Sequence, residues 1–289
     1  MENWLKAGKL TAEVIDYGKS LIKVDASPFE VIVNIENKIR ELKAQPAFPP
    51  QISINEFAAH CIPDKEVKFQ KGDLVKLDVG ISIEGAIGDS AVSVDLGGNE
   101  KLIKASEEAL QEAIKIIKIG TKLNEIGITI EKTIAKSGFK PIKNLSGHSI
   151  DEYQEHAGLT IPNFDNGDTT RLTKGQIIAI EPFATAGSGY IQDGKDSGIY
   201  KLIAPKQVRN QMTRDILIYI AENYKTLPFS KHWLNKKFGH FKTGFALKVL
   251  EREGIIHQYN QLVEKNKEKV SQAEHTLMID DEVKILTKR

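Results

Sequence analysis

The chain reads as an α+β protein: a largely antiparallel sheet with helices over one face, carrying a separate helical unit late in the sequence. Three observations predict this. Short runs rich in Val and Ile, Leu74 to Ile81, Ala91 to Leu96 and Gln176 to Phe183, are bounded by turn residues, as strands are. Two stretches with apolar residues three and four apart, Glu100 to Ile119 and Asn124 to Lys136, stand between them, and strands followed by paired helices and strands again suit an α+β layer arrangement. A lysine-rich stretch of helical pattern then interrupts the strands between residues 197 and 257.

Taken in order, the first 45 residues predict two helices. The second opens at Ser27-Pro28-Phe29-Glu30, where Ser27 can cap, Pro28 suits the first turn and Glu30 can reach back. The loop Ala47-Phe48-Pro49-Pro50 leads into the first strands, with Gly85 and Gly88 punctuating them, and the paired helices stop at Gly120 and Gly138. Within 197–257, Thr213 to Tyr224, Pro228 to Phe238 and Lys242 to Gly254 each read as a short helix. This stretch holds 11 Lys and Arg against 4 Asp and Glu, a net of +7, whereas the whole chain carries +1, so the remainder is about −6. The expected division is a catalytic domain of residues 1–196 and 258–289 and an inserted helical subdomain of residues 197–257. Three short helices with a basic third one have a winged-helix-like outline, which suits nucleic-acid contact; a solvated lysine face on a packing module is the plainer alternative.

Composition narrows the function. With 40% hydrophobic and 27% charged residues among 289, and 40 basic against 39 acidic side chains, the chain has the make-up of a globular protein, and disordered and collagen-like classes are excluded. No apolar run approaches the roughly 18 residues that span a bilayer, and Met1-Glu2-Asn3-Trp4-Leu5-Lys6 lacks a signal-peptide pattern, so no membrane partner and a cytoplasmic location are expected. The lone Cys61 cannot form an internal disulfide or a cysteine metal cluster. Read as a strand, Cys61 and His60 point to opposite faces, so a thiol hydrolase is disfavoured. No glycine-rich phosphate loop is present.

Asp78 and Asp89 lie in apolar, strand-like surroundings, where carboxylates need compensation. A turn near Ile83 to Gly85 would set them nearly opposite in an antiparallel hairpin, with α-carbons on the order of 5 Å apart. Glu181, at the end of Gln176-Ile177-Ile178-Ala179-Ile180, and Glu274, on the expected last strand, repeat the situation. His148, in a glycine-bearing segment, completes a set of one nitrogen and four carboxylates, a donor set suited to divalent ions. Taken singly, each of these residues also fits a structural or solvated role.

In this order, Ala58-Ala59-His60, Leu77-Asp78-Val79-Gly80, Gly88-Asp89, Gly147-His148-Ser149-Ile150, His156-Ala157-Gly158, Ala179-Ile180-Glu181-Pro182-Phe183 and Glu274-His275-Thr276 resemble the type II methionine aminopeptidases, in their short, archaeal-like form. The resemblance covers nearly the whole chain. It implies the pita-bread fold, two pseudo-symmetric halves around a dinuclear metal site, with a helical insertion where 197–257 falls. It implies that Asp78 chelates one metal, that Asp89 and Glu274 bridge both, and that His148 and Glu181 hold the other. The two divalent ions would be Co, Mn, Fe or Zn.

By the same resemblance His60 and His156 contact the scissile peptide, Glu181 also accepts the water's proton, and Phe48, Ile199 and Tyr259 line the methionine pocket. Ile199 departs from eukaryotic members, which place a histidine there. His275, beside a ligand, is expected to point away from the site. The implied activity is removal of the initiator methionine from nascent polypeptide N-termini with a small second residue, by a monomer that could associate with the ribosome. Two alternatives share the fold: a proline-specific aminopeptidase or prolidase, and a non-catalytic relative binding RNA or protein through the basic insertion.

Overall fold

The computed structural model describes residues 1–204 and 206–289. Helix α1 spans Glu2–Leu21 and α2 Pro28–Glu41. The predicted start of α2 is present: Ser27 is the N-cap, its hydroxyl accepts from the Glu30 N–H, and Pro28 holds the first position. Both helices lie on a hairpin of Leu74–Ile83 and Ala86–Asp95, burying Val14, Ile15, Ile35 and Ile39 against Val75, Leu77, Val79 and Ile81. Glu84 and Gly85, both at positive φ, form the two-residue turn. At Gly88 the backbone of α1 comes so close that an added Cβ would lie 2.7 Å from the Gly8 Cα.

A second helix pair repeats the arrangement. Helix α3 spans Glu100–Ile116 and α4 Leu123–Lys136, and they bury Leu110, Ile126, Ile130 and Ile134 against Ile178, Ile180 and Leu277. The end of α3 falls three residues before the expected Ile119. Ile117 turns to extended backbone, and the Thr121 hydroxyl donates to the Ile116 carbonyl while accepting from the Lys118 N–H, which closes the helix early.

The run Gln176 to Phe183 is not one strand. It splits into Ile177–Ile180 and Phe183–Thr185, which belong to different sheets. Pro182 has no N–H for a ladder, so the chain changes sheets there, and Glu181 sits at the corner. Ile177–Ile180 pairs with Ser146–Ile150 and His275–Met278; Phe183–Thr185 pairs with Val270–Gln272. Every strand pairing among the described residues is antiparallel.

The insertion holds α5 (Gln211–Asn223), α6 (Lys231–Phe238) and α7 (His240–Arg252) around its own core of Ile216, Ile220, Phe229, Leu234, Leu247 and Leu250. Residues 197 and 257 fall inside a long ribbon, Ile191–Leu202 paired with Ile256–Glu264, that runs from the main sheets into the insertion. No helix among the described residues is long and apolar enough to cross a membrane.

Candidate metal centre

The two halves are joined along a seam of hydroxyl groups. The Asp89 N–H donates to the Thr276 hydroxyl at 2.8 Å, and that hydroxyl donates to the Asp89 carbonyl at 2.7 Å. The Ser90 hydroxyl donates to the Glu274 carbonyl, and the Glu274 N–H donates to the Ala91 carbonyl. Ser93 makes the same kind of exchange with Gln272. The edge of the hairpin is thereby fixed against the C-terminal strands, which brings Asp89 and Glu274 together although they are far apart in sequence.

Ligand atoms of Asp89, His148 and Glu274, all buried, lie within 4.8 Å of one another. Glu181 adjoins this group, with its Oε1 3.6 Å from His148 Nε2, which also stands 3.7 Å from Asp89 Oδ2. Asp78 lies on the same face of the hairpin. It is not opposite Asp89, however. The register pairs Asp78 with Ala91 and Gly80 with Asp89, so the two aspartates are diagonal neighbours, and the expected spacing of about 5 Å becomes the diagonal's roughly 7 to 8 Å. The turn at Glu84-Gly85 is centred one residue later than an opposed pair would need.

Charge makes this centre incomplete without cations. Burial, and then the neighbouring Glu155, push Asp78 up to about 8. Burial and mutual repulsion raise Asp89, Glu181 and Glu274 well above the carboxylate range. Asp78 Oδ1 and Asp89 Oδ1 are buried without any hydrogen-bond partner, which is costly unless something else occupies their lone pairs. Burial holds His148 down at about 3, so its ring is neutral, and its Nδ1 faces the Ser149 carbonyl at 3.4 Å, leaving Nε2 free to coordinate. Hard oxygen donors with one imidazole fit divalent ions.

Two histidines flank the centre. His60 is not on a strand: its φ of 59° is left-handed, fixed by its N–H donating to Gln51 Oε1 at 2.6 Å. The opposite-face argument for Cys61 therefore does not hold, but burial, which pushes that thiol up to about 12, keeps it inert. His60 Nδ1 donates to the Asn260 carbonyl at 3.1 Å, and burial keeps the ring neutral, down at about 4, so its Nε2 is an acceptor. His156 stacks on His148 with ring centroids 4.1 Å apart and lies at the open rim, its side chain 61% exposed. Packing around it, and then the Lys201 charge, lower its affinity for a proton, an effect that solvent at the rim screens.

Tyr259 stands edge-on to His60, ring centroids 5.1 Å apart. Ile199 is buried on the ribbon, beside the insertion strand at Ser230. Phe48 lies on the ligand-bearing face of the hairpin, in a cluster with Ile87, Ile150 and Leu227 and against Gly80, the residue paired with Asp89, where an added Cβ would lie 2.2 Å from its ring. His275 turns away, its Nδ1 on the Thr287 hydroxyl. Sequence reasoning missed two groups. Gln272 offers its amide N–H to Glu181 at 3.4 Å and Glu274 at 3.5 Å, and its place two residues before Glu274 is the only trace of this in the sequence. Glu155, adjacent to His156, is the other.

Residues 2–218 match metallopeptidase family M24, and the chain belongs to that family. A methionine aminopeptidase of Archaeoglobus fulgidus is 44% identical over 282 residues, 97% of this chain and 95% of that one. Among solved structures, a methionine aminopeptidase of Thermotoga maritima superposes with a TM-score of 0.73 at 24% identity, over 100% of this chain and 96% of that one. A thermophilic Arx1 does so with 0.87 at 13% identity, over 99% and 89%. At these two identities the likeness is one of fold, the pita-bread fold. With its buried Asp, His and Glu cluster, this metallopeptidase binds divalent metal.

Proposed function

We propose that the chain is a methionine aminopeptidase, removing the initiator methionine from nascent proteins whose second residue is small. The observation that carries this reading is the buried carboxylate and imidazole centre with its two orphaned aspartate oxygens, in a chain alike over its length to an archaeal enzyme of that name.

Asp78, Asp89, His148, Glu181 and Glu274 would hold two divalent ions, drawn from Co, Mn, Fe and Zn. When bound, such a pair supplies Lewis acidity toward the scissile carbonyl and the attacking water. Glu181, in reach of Gln272 and His148, takes the water's proton. His60, with Nδ1 committed to Asn260, offers Nε2 to the scissile N–H. His156, at the open rim, donates to the developing oxyanion. Phe48, Ile199 and Tyr259 wall the methionine side chain.

The catalytic domain comprises residues 1–196 and 258–289, and residues 197–257 form the insertion. Its net +7 charge and its exposed Phe241 and Phe245, one turn apart on α7, support docking to an anionic surface such as the ribosome. We place the protein in the cytoplasm as a monomer.

The test is release of free amino acid from Met-Ala-Ser and from Xaa-Pro peptides by metal-stripped protein titrated with Mn, Co, Fe and Zn. Methionine release that saturates at two ions per chain is expected. Cleavage of Xaa-Pro peptides alone would replace the reading with a prolidase, and no cleavage with any metal would replace it with a binding protein.

A further inference from the structure

Asn163 stands one residue past the strand Thr160–Pro162. The strand Ser146–Ile150, which carries His148, lies between Thr160–Pro162 on one side and Ile177–Ile180 on the other. Asn163 reaches across the end of that middle strand. Its Nδ2 donates to the Leu145 carbonyl at 3.1 Å and to the Glu181 carbonyl at 3.1 Å. One amide thus ties the residue before the His148 strand to the residue after the neighbouring one. Helix α4 holds the backbone here, with Gly127 packed so close that a Cβ there would strike the Phe164 carbonyl.

The corner at Glu181 has little else to fix it. The ladder to the His148 strand reaches only Ala179, the strand stops at Ile180, and Pro182 has no N–H to offer. The Glu181 carbonyl lies beyond the ladders, and the Asn163 amide is its donor. Turned the other way, the amide would set its oxygen against two carbonyl oxygens. Asn163 is 1% exposed, and its Oδ1 is buried with no hydrogen-bond partner, a cost that an apolar side chain of similar size would avoid. Filling the space alone would not call for an amide.

We infer that Asn163 is a positioning residue of the metal centre, setting the corner from which Glu181 meets His148 and so the affinity for the ion that these two side chains would hold together. This rests on the ligand set proposed above. His148 Nε2 and Glu181 Oε1 stand 3.6 Å apart, a spacing that one ion with bonds of about 2.0 to 2.2 Å can bridge. Strand pairing does not fix that separation, because the ladder stops short of Glu181, and the clamp on Leu145 and Glu181 supplies the missing constraint. Asp78 and Asp89 differ in this respect. They sit on a hairpin paired without interruption from Leu74 to Ile83, so losing Asn163 falls on one ion rather than both.

The experiment is calorimetric titration of the metal-stripped full chain with Co(II), with the visible absorption of the bound ions read on the same samples. Asn163→Leu removes the amide and keeps the bulk; Asn163→Ala, which cannot crowd the site, serves where the first does not fold. One of the two ions should bind about 10- to 100-fold more weakly, with altered absorption, and the other as in wild type. Glu181→Ala should weaken the same ion. The double variant should bind it no more weakly than Glu181→Ala alone, because Asn163 acts through Glu181. Unchanged binding of both ions without the amide would overturn the inference. So would equal weakening of both ions, or additive loss in the double variant, either of which would make Asn163 a prop of the fold at large. Wild-type binding of both ions by Glu181→Ala would instead count against the ligand set itself.

Discussion

The Ser90 hydroxyl donates to the Glu274 carbonyl at 2.7 Å, and through this bond the residue next to Asp89 fixes the backbone of Glu274. The seam to which it belongs is the device that assembles the centre.

Thr276→Val tests that seam. Valine keeps the shape but leaves the Asp89 N–H and carbonyl without their 2.8 and 2.7 Å partners. The expected loss is about 1 to 3 kcal/mol of stability in chemical denaturation, with metal affinity lowered about 10- to 100-fold, as for other supporting contacts to ligands.

Asp89→Asn should act in opposite directions with and without metal. In the stripped protein it removes one of several buried, mutually repelling carboxylates, so the melting temperature should rise. In the metal-loaded protein it removes a proposed metal ligand, so the melting temperature and bound metal should both fall. Calorimetry on the two forms reads both signs, and a fall in both would show that Asp89 serves the fold alone.

His156→Ala should lower kcat by about 10² to 10⁴, the range for lost proton-transfer or hydrogen-bonding assistance. Metal content, counted on the same samples, should stay at the wild-type value. Equal loss of metal would place His156 among the ligands.

Gly80→Ala should be poorly tolerated although alanine suits strands no worse. The new Cβ would lie 2.2 Å from the Phe48 ring, opposite Asp89 in the hairpin. Overpacking of this kind costs about 1 to 3 kcal/mol. The double variant Gly80→Ala with Phe48→Leu should recover part of it in thermal melts.

Lys76 gives a pH signature away from the metal. It is buried, its Nζ donates to the Asn55 carbonyl at 2.7 Å, and burial lowers it from 10.5 to about 7. Between those values the unfolded chain holds a proton that the folded one lacks, so this residue's contribution makes stability rise with pH from about 7 to about 10.5. In Lys76→Met that part of the slope should vanish. Urea midpoints measured every half pH unit would show it.

Much of this was legible in the sequence because it rests on local rules. The Ser27 cap, the hairpin strands, the paired helices and the three insertion helices follow from capping and periodicity. What depended on one residue of register did not follow: Asp78 and Asp89 are diagonal because the turn centres on Glu84-Gly85. The break at Glu181-Pro182 carried its signal in proline, yet the apolar run around it masked the change of sheet. The left-handed backbone of His60 is set by Gln51, a partner no local pattern announces. Gln272 and Glu155 escaped notice because a buried amide and one more acid in a charged segment look ordinary until the chain is folded.

The seam has a temporal consequence. Ser90 and Glu274 are 184 residues apart, so their bond closes one of the longest loops in the molecule. During synthesis the hairpin bearing Asp78 and Asp89 emerges long before the strand that brings Glu274. Until that strand arrives, the early half must carry its acidic residues without Glu274 beside them. On the proposed ligand set, metal capture is expected to come late and cooperatively, and a pulse-chase of radiolabelled chains over a metal-affinity readout would register it as a lag after full-length protein appears.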